Sequence, residues 1–495
     1  MTFDPHIIAR RPQFVAKASV IAVAAVLAAL PSASHADAGA PLPRCSKNAA
    51  QFYLMRYIEP GTANTAPKTI LELATVPASG AITLQTIWDG ATAPTPSPRD
   101  LSKNAGATVA GGMGKDGYIY AMRAVGATEA GWDLQGGLWT NEWRTHTRYY
   151  EMLRYGRNGV DNLGIVQGLG TYRTDANNAA TQVNGAIDNR LGPNFNAADI
   201  DPVTGIMYLA NFQTGGPLDK VFLIDVTQTP PKYLSTLTLS SKIPGTQSGD
   251  FAIDAAGQWA YGVANTSSIL AQPYRFNLST GEVQSLGSSF ISAPFGAGAR
   301  LLNDDTKLAF YGTSTRVMTI PAGTLGASQS TASADSADGA ACLPKLTASL
   351  QCTPTDLVDA AGNVSTCTVT LSGPAPAGGL PVDLTLPTTN PRYSTTCASP
   401  ITIAAGATEA QCTITATPNT VPGDGNVAAT IALATPPATA DYELGTPTEA
   451  TVTVKDDDNT GPGPIAPIPA TGIWSLLAMG LGLTGLAWRR QRRQG

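Results

Sequence analysis

FNAADIDPVTGIMYLAN, residues Phe195 to Asn211, is the stretch whose reading decides the fold. It reads as a strand ending at Ile200, a tight turn over Asp201-Pro202-Val203-Thr204-Gly205, and a second strand from Ile206 to Leu209. Proline after aspartate presets φ for the turn, and glycine supplies the backbone freedom to leave it. Alternation of apolar and small residues on either side fits strands better than a helix.

Working outward, three variants of this phrase place a turn acid a few residues ahead of an aromatic. They are GKDGYIYAM (Gly114 to Met122), IDAAGQWAYGV (Ile253 to Val263) and LNDDTKLAFYGT (Leu302 to Thr313). ILELATVPASGAITL, Ile70 to Leu84, has the same strand, turn and strand character. Asp201 and Asp254 are 53 residues apart, and Asp254 and Asp304 are 50 apart. A period of this size in an all-β context predicts propeller blades, about five to seven of them over residues 45–325. The phrasing is similar to an uncharacterised propeller-like domain of secreted bacterial surface proteins, a resemblance that carries no catalytic motif.

Composition sets the class. Only 14% of the 495 residues are charged, and 50 glycines with 37 prolines make the chain turn-rich. The formal net charge is −5, while residues 1–36 carry a net +2 and the C-terminal tail a net +4, so the body between them is more acidic than the total. An acidic body without a basic stripe argues against nucleic acid as a partner. Two of the three histidines, His6 and His35, fall in the first 36 residues, which leaves His146 alone in the body. One histidine is too few for a multi-histidine zinc site and leaves little for histidine-dependent nucleophilic catalysis. GGMGKDG, Gly111 to Gly117, lacks the Ser or Thr that follows lysine in a phosphate loop, and its Asp116-Gly117 is a hairpin signal.

Residues 1–36 have the form of a secretory signal peptide. Arg10, Arg11 and Lys17 precede an apolar run from Val20 to Leu30, and Ser34-His35-Ala36 offers a small-x-small cleavage site. At the other end, a Pro/Gly linker over 459–467 leads to IPATGIWSLLAMGLGLTGLAWRRQRR. Ile468, Pro469 and Trp474, an apolar segment over 473–488 and the cluster that starts at Arg489 and Arg490 resemble the IPTL-type C-terminal sorting signal of Gram-negative bacteria. That resemblance implies recognition at the inner membrane by an exosortase-like protease and delivery to the cell surface or outer membrane. Arginine beyond a short apolar span also holds that side in the cytoplasm, so the body is expected outside the inner membrane, transiently or permanently anchored.

Six cysteines in an exported body predict disulfides. Six allow 15 pairings. The preferred set joins Cys45 to Cys342 as a clasp around the repeats, with Cys352–Cys367 and Cys397–Cys412 as hairpin staples. GASQSTASADSADGAA, residues 326–341, reads as a small-polar linker. Beyond it, residues 346–458 hold about seven short alternating strands, the spacing of a β-sandwich. ITIAAGATEAQCTITATPN and YELGTPTEATVTVKDDD resemble the Calx-beta repeat. By that resemblance, calcium is the one implied cofactor, with Asp456, Asp457 and Asp458 as ligands, joined by Asp424. VPGDGN, Val421 to Asn426, has Pro422 and Gly425 where that family places acidic residues.

The richest ligand-facing candidate is WDLQGGLWTNEWRTHTRYYEMLRY, Trp132 to Tyr155. Trp132, Trp139, Trp143, Tyr149 and Tyr150 could stack on sugar rings or pack between blades. Glu142, Glu151 and Asp133 are the carboxylates available there for glycan cleavage. The expectation is an all-β, non-enzymatic surface protein with no catalytic residues, binding an extracellular glycan or surface protein. The alternative is a glycan-active hydrolase or lyase built on the propeller.

Overall fold

The computed structural model describes residues 38–58, 68–89, 110–128, 146–174, 180–185, 195–212, 218–243, 249–267, 269–291, 295–331 and 336–458. The ordered elements among them are all β-strands. Ala197–Ile200 and Ile206–Ala210 form the hairpin expected of the deciding phrase, extended by Leu218–Asp225 and Lys232–Ile243 into a four-stranded antiparallel sheet. GKDGYIYAM, IDAAGQWAYGV and LNDDTKLAFYGT each bridge the first two strands of a sheet in the same manner.

Five such sheets share one arrangement. Their innermost strands are Gly111–Met113, Ala197–Ile200, Gly249–Ile253, Phe295–Arg300 and Ser336–Ala341. Each adjoins the next, and Ser336–Ala341 returns to Gly111–Met113, so the five form a closed circuit. Five separate apolar cores lie between neighbouring sheets, one per interface. A sheet that buries both faces against its neighbours needs apolar residues on both, which is why its strands read as runs such as Ile-Met-Tyr-Leu-Ala. Phe195, 6% exposed, meets Tyr150 and Phe222 edge-to-face at 5.0 and 5.6 Å inside one of these cores.

The circuit closes with a strand from the far end of the ring. Gln51–Ile58 pairs with Lys68–Thr75 on one side and with Ser336–Ala341 on the other. This corrects one expectation. The end of the 326–341 linker, Ser336–Ala341, is the innermost strand of the first sheet, whereas ILELATVPASGAITL is a strand, turn and strand as expected and joins that sheet's two outer strands. Serine, alanine and glycine read as linker chemistry, yet the inner ring requires small residues. A Cβ on Gly339 would stand 2.5 Å from the carbonyl oxygen of Gly298 in the adjacent inner strand.

Cys45 and Cys342 are joined beside this closure, Cα to Cα 5.9 Å. The other two pairs are also those expected, Cys352–Cys367 and Cys397–Cys412. Their separation of 15 residues matches two strands and a turn, with Cys352 directly opposite Cys367 in the register. Three disulfides are those of a chain matured in an oxidising compartment.

Residues 346–458 form two main sheets and a two-stranded one, Leu380–Val382 with Ile401–Ile403, around one core. One orders Tyr393–Thr395, Glu409–Ala416, Val364–Leu371, Leu346–Thr353 and Tyr442–Leu444. The other orders Asp356–Val358, Glu449–Lys455, Val427–Leu433 and Leu384–Thr385. Alternation is plain along Leu346–Thr353, where every second residue is buried.

Candidate functional site

Three aspartates on the inner strands share one geometry. The Asp199 Oδ1 accepts the N–H of Ile200, and its Oδ2 accepts the N–H of Ile253 in the next sheet, both at 2.8 Å. Asp250 does the same with Phe251 at 2.8 Å and Gly298 at 2.5 Å. Asp338 does so with Gly339 at 2.8 Å and with Gly111. An innermost strand carries a row of N–H groups with no further strand to pair them. The carboxylate of the preceding sheet satisfies one such donor, so each aspartate fastens two sheets. At the two remaining junctions the main chains approach directly, Gly112 against Asp199 and Ile200, and Gly339 against Gly298.

All three carboxyls are fully or almost fully buried. Burial pushes Asp199 up to about 7, opposed by its main-chain donors and by Arg300. Asp250 and Asp338 share a hydrogen bond, and burial raises both well above the ordinary aspartate range. For Asp338 the charge of Asp250 is the next cause. A proton-sharing carboxyl pair is acid/base machinery in form. Here its oxygens are committed to the main chain and have no exposed surface among the described residues.

A second carboxylate cluster sits where residues 346–458 end. Oxygens of Asp359, Asp456 and Asp458 lie within 4.8 Å of one another. Asp359 is fully buried and accepts from Arg392 Nη2 at 2.5 Å and from Asn419 at 3.1 Å. Arg392 also pairs with Asp424 and donates to the Gly425 carbonyl at 3.2 Å. Asp456 Oδ2 accepts the N–H groups of Gly423 and Gly425, so the VPGDGN loop closes onto it. Asp457 shares a hydrogen bond with Asp359 that holds the Asp359 carboxyl below its ordinary range and Asp457 above it. Burial and its acidic neighbours raise Asp458, whose buried Oδ2 has no hydrogen-bond partner.

Of the four expected calcium ligands, Asp456 and Asp458 therefore converge, while Asp424 and Asp457 are otherwise engaged. Asp359 was missed because it stands alone in sequence, between Val358 and Ala360. Three carboxylates supply part of the six to eight oxygens calcium takes, and Arg392 already brings a positive charge to the same place.

Trp132, Trp139 and Trp143 lie outside the described residues, as do Glu142 and Asp133. Tyr149 is on the His146–Tyr155 strand opposite Val125. Tyr150 is 1% exposed and packs on Phe195, which corrects its place in a stacking platform: it is core. Glu151 accepts from Arg123 Nη2 at 2.8 Å and Asn162 at 3.1 Å, a paired carboxylate rather than a free general acid. The signal peptide and the sorting residues Ile468, Pro469, Trp474, Arg489 and Arg490 also lie outside the described residues. The axial aspartates had a faint sequence signal, a small residue before each: Ala198-Asp199, Gly249-Asp250 and Ala337-Asp338.

Comparison with known proteins adds a family without an assigned activity. Residues 110–344 match a repeat of unknown function, DUF6923, which spans the second inner-ring sheet through the closing strand. No curated protein matches. Among solved structures, the chain is similar to a candidate 6-phosphogluconolactonase from Bacteroides uniformis ATCC 8492, at 9% identity and TM-score 0.28, covering 73% of this chain and 99% of that one. A candidate TolB from Agrobacterium tumefaciens gives 10% identity and TM-score 0.25 over 56% of this chain and 88% of that one. Sqt1 from Chaetomium thermophilum gives 12% identity and TM-score 0.20, covering 67% of each chain.

Proposed function

We propose that this is an exported, non-enzymatic surface protein. The ring of five sheets is a β-propeller that presents a binding or scaffolding face to an extracellular glycan or surface protein. Residues 346–458 are a Calx-beta-like β-sandwich that spaces the ring from its tether, and residues 468–495 are the sorting signal, engaging the inner membrane and an exosortase-like protease. One observation supports the non-enzymatic reading above others: the paired carboxyls on the ring's axis, Asp250 and Asp338, are fully buried and already used to fasten neighbouring strands. In the sandwich, Arg392 serves as the built-in cation of the acidic cluster, and calcium, where bound, would be held by Asp359, Asp456 and Asp458.

The test is protease shaving of intact cells, with and without residues 468–495. Surface exposure of the full-length protein and its loss on truncation are expected. A protein found in the cytosol with residues 1–36 still attached would remove the proposal. The alternative, a glycan-active hydrolase or lyase, rests on the carboxylates of the Trp132 to Tyr155 stretch, and glycan turnover abolished by Glu142→Gln or Glu151→Gln in a folded protein would reinstate it.

A further inference from the structure

Main-chain pairing at the two ends of residues 346–458 differs in kind from the pairing that closes the ring. Leu346–Thr353 enters beside Tyr442–Leu444 in parallel, Leu346 opposite Tyr442 and Ala348 opposite Leu444. Asp356–Val358 likewise runs parallel to the last strand, Asp356 opposite Thr453 and Val358 opposite Lys455. Leu346 N–H donates to Asp441, Gly445 to Ala348, Thr453 to Thr355 and Asp359 to Lys455, at 2.7 to 3.1 Å. Lys455 and Asp356 add an ion pair at 2.9 Å. The chain thus enters this unit at one pole and leaves at the other, roughly 40 Å away at the rise of a strand. Tension between the two poles runs along the paired strands and loads these bonds together, in shear.

Ring closure has the opposite geometry. Gln51–Ile58 and Ser336–Ala341 are antiparallel, with Phe52 opposite Ala341 at the end where both chains leave the ring. Tension on those two chain ends loads one pair at a time, as a zipper, and would peel the closing strand away. Cys45 and Cys342 are bonded to each other just outside that end. Cys45 also exchanges main-chain bonds with Leu343 and Lys345. The covalent bond ties the two leaving chains together, so the weak end carries no load. Across the same junction, Asp441 accepts from Arg157 Nη2 at 2.5 Å and from Arg44 N–H at 3.0 Å, and Lys345 Nζ donates to the Ala438 carbonyl at 2.7 Å.

We propose that this protein is a load-bearing tether: the two-sheet unit carries tension in shear, and the Cys45–Cys342 bond routes tension past the zipper-like closure of the ring. The role rests on the reading that the C-terminal segment holds the protein to a surface while the ring holds a partner.

The experiment stretches the full-length chain by its two ends in a single-molecule force instrument without reductant. The oxidised protein is expected to lengthen in one main step of roughly 250 Å, from residues 346–455 less the two loops held by Cys352–Cys367 and Cys397–Cys412. In the Cys45→Ser, Cys342→Ser double variant a further gain of roughly 1,000 Å appears, from the 297 residues released, and it comes first and at several-fold lower force. Wild-type protein treated with a small thiol, if the double variant does not fold, gives the same order of events. A two-sheet unit that extends at a force equal to or below that of the released ring overturns the proposal. Loss of surface localisation in cells, with the force order intact, overturns the anchoring reading alone.

Discussion

Asp250 and Asp338 share a hydrogen bond across the ring's axis, although their inner strands are separated in the circuit by Phe295–Arg300. Each also accepts two main-chain N–H groups. The pair therefore links strands that never pair with each other, and a retained proton makes the link attractive.

Acid should stabilise the ring. In the folded state burial holds the Asp199 proton up to about 7, and Asp250 and Asp338 are raised as well. The same groups in the unfolded chain lose their protons near pH 4. Folding therefore binds protons between these limits, and stability falls as pH rises through them. The groups facing these carboxyls are Arg300 and Asp201 at Asp199, and Asp199 and Tyr274 at Asp250. Melting curves between pH 5 and 8 at fixed ionic strength should show a falling transition temperature, with a shallower slope in Asp338→Asn. A transition that rises over this range refutes the assignment.

Gly339→Ala should disrupt closure, because the added methyl would meet the Gly298 carbonyl oxygen at 2.5 Å. Overpacking of this kind costs about 1–3 kcal/mol. Gly296→Ala is a matched control: like Gly339 it lies in an inner strand outside the left-handed region, and its added Cβ would come no nearer than 3.4 Å to the Ala337 carbonyl oxygen. Urea unfolding of the two variants separates crowding from the loss of a glycine as such, and an equal loss in both would count against crowding.

Arg392→Gln should destabilise residues 346–458, because Asp359 loses its charge partner and keeps only Asn419 and Asp457. With Arg392 as resident cation, millimolar calcium should leave the wild-type melting temperature unchanged and raise that of Arg392→Gln. A calcium shift in the wild type of the same size would show that the guanidinium does not fill this role.

Asp441→Asn should loosen the junction between the ring and the two-sheet unit. The substitution keeps the size but removes the charge that holds Arg157 at 2.5 Å. Small-angle scattering should give a larger radius of gyration, with both parts still folded by circular dichroism. An unchanged radius means that Lys345, Arg44 and the main-chain bonds suffice.

The strand–turn–strand phrases, their period, the all-β class and the spacing of the two hairpin staples were legible because each is written locally. Turn chemistry occupies four or five consecutive residues, alternation needs only one strand, and a hairpin staple needs only its spacing. The closing strand was not legible. Ser336–Ala341 has the composition of a linker, and its partner Gln51–Ile58 lies at the other end of the ring. Asp199, Asp250 and Asp338 were hidden for the same reason: an isolated aspartate looks soluble until the strand whose N–H it accepts is brought beside it. Tyr150 illustrates the converse, since the aromatic content of Trp132 to Tyr155 was plain but which rings are buried was not. Sequence by itself determined the units, because their hydrogen bonds and patterns are short-range. Only the tertiary structure decided how the units close, which carboxyls are sealed and where Arg392 stands, because those depend on contacts between residues far apart in the chain.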